Sequence, residues 1–347
     1  MTVQPKRLDE LQDAVRAHAS LVIRGAGTKS APIADAKAVT LDTRGLSGVT
    51  DYSPDECVLT ALGGTPLSMI TEQLAAHGQY LPFDPPLIDA GATIGGTVAT
   101  GLSGSGRHRY GGVRDFVIGM RIVDGEGRLI RSGGKVVKNA AGFLLHHGMV
   151  GSLGRFGVIA EVTLKVFPAP QVRGTVRVEC RSVACARSTV RGMQGLDLEA
   201  VDFDSLGTLW IRVAGRAEAL DERISRVMRA VGGMKITGPD EEAIWADARE
   251  FRWVPAGSSL IKVPGDSDEL LTSSSRVTSA GTVSWIAVDD LRIAGASLQT
   301  AGRSGLVVRG PQAATLIGRS EPGVFEQRVR SVLDPRNRFS AAPDRQR

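Results

Sequence analysis

The chain has 347 residues, 42 Lys and Arg against 37 Asp and Glu, and a formal net charge of +5. That length exceeds one ordinary core and predicts two domains, and no apolar run reaches the roughly eighteen residues that a membrane helix needs. The slight basic excess is spread along the chain without interleaved aromatics, so it suits an anionic ligand and argues against a nucleic-acid surface. Three cysteines, Cys57, Cys180 and Cys185, and five histidines give neither a disulfide framework nor a zinc site, so no metal is expected. The spacing of Cys180 and Cys185 is wrong for a redox pair, and all three thiols read as buried small apolar groups. Met1 to Glu10 holds no apolar signal core, which predicts a cytoplasmic protein.

Residues 7–18 place Leu8, Leu11, Ala14 and Val15 on one helical face, and Leu21 to Ile23 reads as a short buried strand. The loop that follows, Arg24-Gly-Ala-Gly-Thr-Lys29, adds a hydroxyl and two cations to its glycines. Glycine at this density lets backbone N–H groups approach an anion. Cys57 to Leu62 is the next strand pattern, and Pro66 to His77 is a helix with proline in its first turn. A second run, Gly91-Ala-Thr-Ile-Gly-Gly-Thr-Val-Ala-Thr-Gly-Leu-Ser-Gly-Ser-Gly106, lies in a stretch, residues 91–157, that holds 18 of the 42 glycines. Thr93 there reads as the cap of a helix through Gly95 and Gly96 whose open N-terminus faces a phosphate. Two such loops point to one dinucleotide held from two sides.

Asp115 to Val123 and Gly157 to Phe167 read as strands, the second alternating and rich in β-branched residues. Pro168-Ala-Pro170 is a stiff break, and all four tryptophans (Trp210, Trp245, Trp253 and Trp285) lie beyond it, which sets a domain boundary there. Val172 to Val178 and Leu209 to Val213 read as strands and Ala217 to Val231 as a helix, the pattern of an α+β cap.

Three passages occur in a telling order: Tyr80-Leu-Pro-Phe-Asp-Pro-Pro86; the glycine run with Tyr110-Gly111 and Asp115; and Lys138-Asn-Ala-Ala-Gly142 leading to Gly151-Ser-Leu-Gly-Arg-Phe-Gly-Val-Ile159. This order resembles the FAD-binding domain of the vanillyl-alcohol oxidase, or PCMH, family over residues 20–170, with a weaker echo at Val332 to Phe339. Within that family the chain is similar to the FAD-binding subunits of glycolate oxidase complexes. The resemblance implies an α+β fold: residues 1–170 as a FAD-binding domain of two α/β lobes, 171–310 as a smaller cap, and 311–347 as a segment returning to the first domain. It implies that Arg24, Gly25, Ala26, Gly27, Thr28 and Lys29 hold the FAD pyrophosphate together with Ala92, Thr93, Gly95, Gly96, Thr97 and Ala99. Asp84 and Pro85 sit by the flavin end on this reading, Gly157, Val158 and Ile159 approach adenine or ribose, and Tyr110, Gly111, Asp115 and Gly154 complete the set. The chain departs from the family at Arg155, often threonine, at Phe143-Leu144, commonly Tyr-Asp, and after Phe339, where Asn-Pro-Gly tends to follow.

Oxidation of a 2-hydroxy acid needs a cation for the carboxylate and a base for the hydroxyl proton. Residues 171–347 contain no histidine, which argues against the metal-assisted route of the family's catalytic subunits. His146 and His147 are adjacent on a helix and point about 100° apart, so packing or surface roles are expected. Arg107, His108 and Arg109 read equally as a carboxylate or flavin contact and as a solvated loop. Trp245 and Arg249 share a helix face that borders either the flavin, a partner or the core. No catalytic residue is assigned.

The resemblance thus implies the FAD-binding subunit of a glycolate oxidase complex that works with a catalytic flavoprotein and an iron–sulfur subunit, and that meets the inner membrane only through partners. Two alternatives stay open. One is a self-sufficient dehydrogenase of a small hydroxy acid or alcohol, drawing on Arg107, Arg109, Lys138 or the histidine pair; the other is a structural assembly subunit.

Overall fold

The computed structural model describes residues 1–30, 37–134, 144–265, 267–310, 315–319 and 323–339, apart from the Phe325 side chain. Strand β1 (Thr2–Val3), helix α1 (Leu8–Ala17), β2 (Leu21–Arg24) and β3 (Val39–Asp42) make a small lobe whose strands pair in parallel in the order β1-β3-β2. Helix α1 buries Leu11 and Val15, and its charges, Asp9 and Glu10 in the first turn and Arg16 in the last, complement its dipole.

The chain continues through β4 (Val49–Ser53), β5 (Val58–Leu62), α2 (Leu67–Ala75), β6 (Gln79–Tyr80), α3 (Ile94–Thr100), α4 (Arg107–Tyr110), β7 (Val117–Val123), β8 (Leu129–Gly133), α5 (Leu145–Met149), β9 (Val158–Lys165) and β10 (Phe167–Pro168). An antiparallel sheet runs β4-β5-β9-β7-β8, and β9, alternating in sequence, is buried along most of its length because it is central. The strand expected from Asp115 starts at Val117, because residues 113–115 form a turn that the Asp115 carboxylate closes on the Gly112 N–H at 2.8 Å. Pro168, expected in a stiff break, pairs with Gln79 at the end of a short two-stranded ladder, an edge position that proline tolerates.

The remaining elements are β11 (Val172–Glu179), α6 (Val183–Gly192), β12 (Ala200–Asp204), β13 (Thr208–Gly215), α7 (Ala217–Val231), β14 (Met234–Thr237), α8 (Pro239–Glu250), β15 (Ser259–Pro264), β16 (Ser275–Thr278), β17 (Val283–Val288), α9 (Leu291–Thr300), β18 (Ser304–Arg309), β19 (Leu316–Gly318) and α10 (Val324–Leu333). Nine strands form one antiparallel sheet in the order β14-β11-β13-β12-β16-β17-β15-β18-β19. Its outer face packs Phe203, Ile211 and Val277 against Ile224 and Val227 of α7, and Ile261, Ile286 and Val307 against Leu291 and Leu298 of α9. Its inner face turns Leu260, Trp285 and Val308 into the same hydrophobic core as Leu59, Phe83, Phe116 and Ile159. One continuous core therefore fixes the two large sheets against each other.

The last described residues are also tied down. Leu21 N–H donates to the Arg338 carbonyl at 2.7 Å, Phe339 is buried in the first lobe, and the Arg338 guanidinium caps α1 by donating to the Val15 and Arg16 carbonyls at 3.0 and 3.2 Å. The three cysteines differ from one another, against the expectation that all are buried: Cys180 is buried, Cys57 half-buried and Cys185 exposed. Cys185 sits in the first turn of α6, where its N–H donates to Ser182 Oγ at 3.2 Å.

Candidate functional site

The loop after β2 is shaped by glycine. Gly27 has φ +71, and a Cβ there would lie 2.6 Å from the Arg24 guanidinium, which folds back over the loop. A Cβ on Gly25 would lie 2.5 Å from Thr93 Oγ1, so the loop meets the start of α3 only because that position is bare. Among the described residues, the N–H groups of Gly25, Ala26, Gly27, Thr28 and Lys29 have no protein acceptor. Consecutive free amides around a left-handed residue form an anion-binding concavity. Gly95, Gly96 and Ala99 from α3 and Gly154, Gly157 and Ile159 from the turn into β9 line the same cleft. The diphosphate of FAD fits this cradle.

Helix α3 differs from its expectation. Thr93 does cap it, accepting the Gly96 N–H at 3.3 Å, but its N-terminus is not open. The Ile94 N–H donates to the Thr65 carbonyl at 3.0 Å, Gly95 to Gly63 at 2.8 Å and Thr97 to Thr93 at 2.9 Å. Gly95 serves close approach instead, since its Cβ would stand 2.6 Å from the Gly63 carbonyl oxygen. The amide cradle is the loop 24–29 alone. Thr97, fully buried, presents Oγ1 at 3.5 Å from Lys29 Nζ, and Thr28 Oγ1 lies 3.4 Å from it. Burial pulls the Lys29 ammonium down to about 8, while the Glu250 carboxylate pulls it back up.

Several expected residues lie away from the cleft. Ala92 and Val158 are core residues at 0% exposure, because one donates its N–H to the Leu87 carbonyl and the other sits in the central strand. Tyr110 packs edge-on against Tyr80 and Phe167, with ring centroids at 6.2 and 5.9 Å. Gly111, at φ +89, and Asp115 build the turn after α4, where the carboxylate is engaged by the Gly112 N–H. The segment from Lys138 to Phe143 and the residues after Phe339 lie outside the described residues.

A second cavity of about 450 Å³ opens in the seam, between Tyr80, Asp84 and Pro85 on one side and Arg173, Trp245 and Arg249 on the other. Asp84 has φ +50, and Gly104 beneath it has no room for a Cβ, which would meet Asp84 Oδ2 at 2.7 Å. Trp245 Nε1 donates to Thr175 Oγ1 at 2.8 Å, and Arg212 grips Glu241 with two bonds of 2.7 and 3.0 Å. Arg173 donates to Glu199 at 2.9 Å. Arg249 shares the α8 face with Trp245 as expected, yet its guanidinium is loosely held, 4.0 Å from Asp84 and 3.8 Å from Glu250. Helix α4 reaches the inner face of the nine-stranded sheet. Burial lowers the His108 imidazole, against the pull of Asp202; Arg109 pairs with Asp197; and burial, then the Arg107 charge, brings Lys262 down to about 8.

His146 is buried with Nδ1 2.9 Å from Ser132 Oγ on β8, and its ring meets that of His147 at 4.5 Å although adjacent helical side chains diverge. Neither histidine lines the two cavities. Sequence reading passed over Asp202, Lys262 and Arg276, whose only signal is strand alternation in Ala200-Val-Asp-Phe-Asp204, Leu260-Ile-Lys-Val263 and Ser275-Arg-Val-Thr278. Among the described residues no group of three His, Cys, Asp or Glu suits a metal, and no described helix is long and apolar enough to cross a membrane.

Residues 1–133 match the FAD binding domain family FAD_binding_4. Glycolate oxidase subunit GlcE of Escherichia coli (strain K12) is 34% identical over 288 residues, which cover 80% of this chain and 79% of that one. D-lactate dehydrogenase of Archaeoglobus fulgidus is 30% identical over 56% of this chain and 46% of its own, so the chain spans less than half of that relative. A solved alkyldihydroxyacetonephosphate synthase superposes with a TM-score of 0.71 at 16% identity, covering 97% of this chain and 76% of that one, a likeness of fold alone. The FAD binding domain match and these relatives define a FAD-dependent flavoprotein oxidoreductase with a PCMH-type FAD-binding domain. Within that class, the chain belongs to the family of glycolate oxidase subunit GlcE.

Proposed function

We propose that the chain is the FAD-binding subunit of a glycolate oxidase type complex, oxidising a small 2-hydroxy acid and passing the electrons to a partner iron–sulfur subunit beside a second, catalytic flavoprotein. The row of acceptor-free N–H groups from Gly25 to Lys29, flanked by the Arg24 and Lys29 cations, carries this reading. Bound FAD supplies the two-electron acceptor for the CH–OH carbon. The residues of the chain do the holding. Arg24 and Lys29 neutralise the diphosphate, and Thr28 and Thr97 orient the Lys29 ammonium. Lys262 beside Arg107 adds positive charge to the inner sheet face. We divide the chain accordingly into a FAD-binding domain, residues 1–170, a cap, 171–310, and a returning segment, 311–347, a division that the bonding of Arg338 to α1 supports. The three cysteines in these 347 residues fall short of the four thiolates that a cluster takes, so the iron–sulfur centre belongs to a partner.

The visible spectrum of the purified chain tests the reading. A bound flavin that bleaches on anaerobic addition of glycolate is the expected result. A colourless chain that takes up no added FAD overturns it.

A further inference from the structure

Strand β11 ends at Glu179 and α6 begins at Val183, so Cys180, Arg181 and Ser182 turn the chain onto the outer face of the nine-stranded sheet. A cysteine stands on either side of this turn, and the backbone of each is fixed. The Cys180 N–H donates to the Gly207 carbonyl at 2.9 Å, and a Cβ on Gly207 would clash with the Cys180 carbonyl oxygen. Ser182 caps α6 by accepting the Cys185 N–H at 3.2 Å. Cys185 and Thr189 then lie one turn apart on the same helix face, with side chains that lean toward the N-terminus. Thr189 Oγ1 donates to the Cys185 carbonyl at 3.0 Å and lies 3.6 Å from Cys180 Sγ. The Cys180 sulfur is therefore seated on the face that Cys185 heads, and the two thiols bond each other. Only one of them is open to solvent: Cys180 belongs to the core beneath α6, whereas Cys185 is exposed. Burial pushes the Cys180 thiol up against the pull of Thr189, and the Cys185 sulfur pushes it the same way. Four intervening residues give no sign of this pairing in the sequence, because the turn and the first turn of α6 create it.

We propose that Cys180 and Cys185 form a reversible dithiol–disulfide pair, a modification site separate from the flavin cleft that a small disulfide such as oxidised glutathione converts to the bridged form. Cys185, which solvent reaches, gives up its proton and attacks one sulfur of the small disulfide; that S–S bond breaks, one small thiol leaves with the proton, and a mixed disulfide remains on Cys185. Cys180 then attacks the Cys185 sulfur and expels the second small thiol, to which its own proton goes. The two cysteines thereby lose two electrons and two protons, and one S–S bond of the reagent is replaced by one in the chain. Cys180 is too enclosed to begin the exchange but already touches the sulfur that completes it. The loop so closed runs only from 180 to 185, so the bridge restricts the unfolded chain little and stays open to reduction. Cys57 takes no part, since it packs against the other core, where Gln79 Nε2 donates to its sulfur at 3.3 Å.

Incubation of the purified chain with oxidised glutathione, followed by peptide mass mapping without reduction, tests the pair. The expected product is a chain in which Cys180 is joined to Cys185, lighter by two hydrogens and carrying no glutathione at either position, and dithiothreitol restores both thiols. Cys180→Ser is expected to stop at a mixed disulfide on Cys185, and Cys185→Ser to slow the loss of the Cys180 thiol at least about tenfold, because a buried thiol is a poor nucleophile. A wild-type chain that keeps a stable glutathione adduct on Cys185 beside a free Cys180 overturns the pair. So does a chain that keeps both thiols, and so does a bridge from either cysteine to a second molecule. The wild-type map decides between these results whether or not either variant folds. Since the pair lies outside the residues that line the loop 24–29 cleft, its failure leaves the FAD reading standing.

Discussion

The two faces of the nine-stranded sheet are made by the same strands and differ in almost every physical respect. On β12, Val201 and Phe203 turn outward to α6 and α7 while Asp202 turns inward; on β16, Val277 turns outward and Arg276 inward; on β15, Ile261 and Val263 turn outward and Lys262 inward. The outer face is apolar and closed by helices. The inner face is equally buried and carries ion pairs, orphaned donors and a lysine beside an arginine. Burial alone thus does not identify a structural face. A buried face with unmet hydrogen bonds stores binding capacity, at a cost that the apolar face offsets.

The largest expected effects separate the faces by stability. Phe203→Ala empties a fully buried site on the outer face and lowers unfolding free energy by about 3–5 kcal/mol, read by urea denaturation. Removing one member of the inner pair, as in Asp202→Leu, strands the Arg276 charge and costs a similar 3–5 kcal/mol or so. The double variant Asp202→Leu with Arg276→Met recovers much of that loss, because an apolar pair no longer strands a charge. No recovery in the double variant would mean that the inner face is as structural as the outer one, and the contrast would break.

How much of this contrast the sequence discloses follows from which contacts are local. The α1 and β2 patterns and the Arg24 to Lys29 loop are legible because their signals, a 3.6-residue apolar period and clustered glycines, act over a few residues. The state of the α3 amides is not legible, since the carbonyls that engage them, Gly63 and Thr65, arrive from the turn after β5. Tyr110 and Asp115 carry a family signal, yet the Tyr110 ring serves an aromatic cluster and the Asp115 carboxylate a turn. The inner sheet face is illegible for a different reason. Alternation such as Arg-Val-Thr reads as half-exposed strand, and only tertiary packing by α4, α8 and the first sheet makes Arg276 and Asp202 interior. The lack of histidine beyond residue 170 was legible directly in the sequence.

A smaller effect sharpens the comparison at the cradle. Gly27→Ala puts a Cβ on a left-handed residue and against the Arg24 guanidinium, at a cost of about 1–2 kcal/mol. Since that strain falls on the free amides, FAD affinity drops by about tenfold or more, measured by flavin fluorescence on titration. Gly148→Ala is the control, because a Cβ there meets nothing within 4 Å, and it leaves affinity unchanged.

The smallest effect is one of pH, and it comes from Lys29. Its ammonium is lowered to about 8 by burial, so without a bound anion the folded chain releases this proton as pH rises through that value. A diphosphate on the neighbouring amides favours the charged form and raises the value again, so FAD binds together with a proton above pH 8. Affinity is accordingly level below pH 7 and weakens about tenfold between pH 7 and 9, the ratio that a group titrating near 8 dictates. Stability of the FAD-free chain moves the other way: a lysine lowered in the folded state opposes folding while charged, so the chain gains stability as pH climbs from 8 toward the unfolded value of 10.5. Lys262 titrates in the same window, but it faces Arg107 on the inner sheet and lies outside the cradle lining. Lys29→Met therefore flattens the pH profile of FAD affinity and Lys262→Met does not. A profile flattened by Lys262→Met alone would place the anion's charge on the inner sheet face and not in the loop after β2.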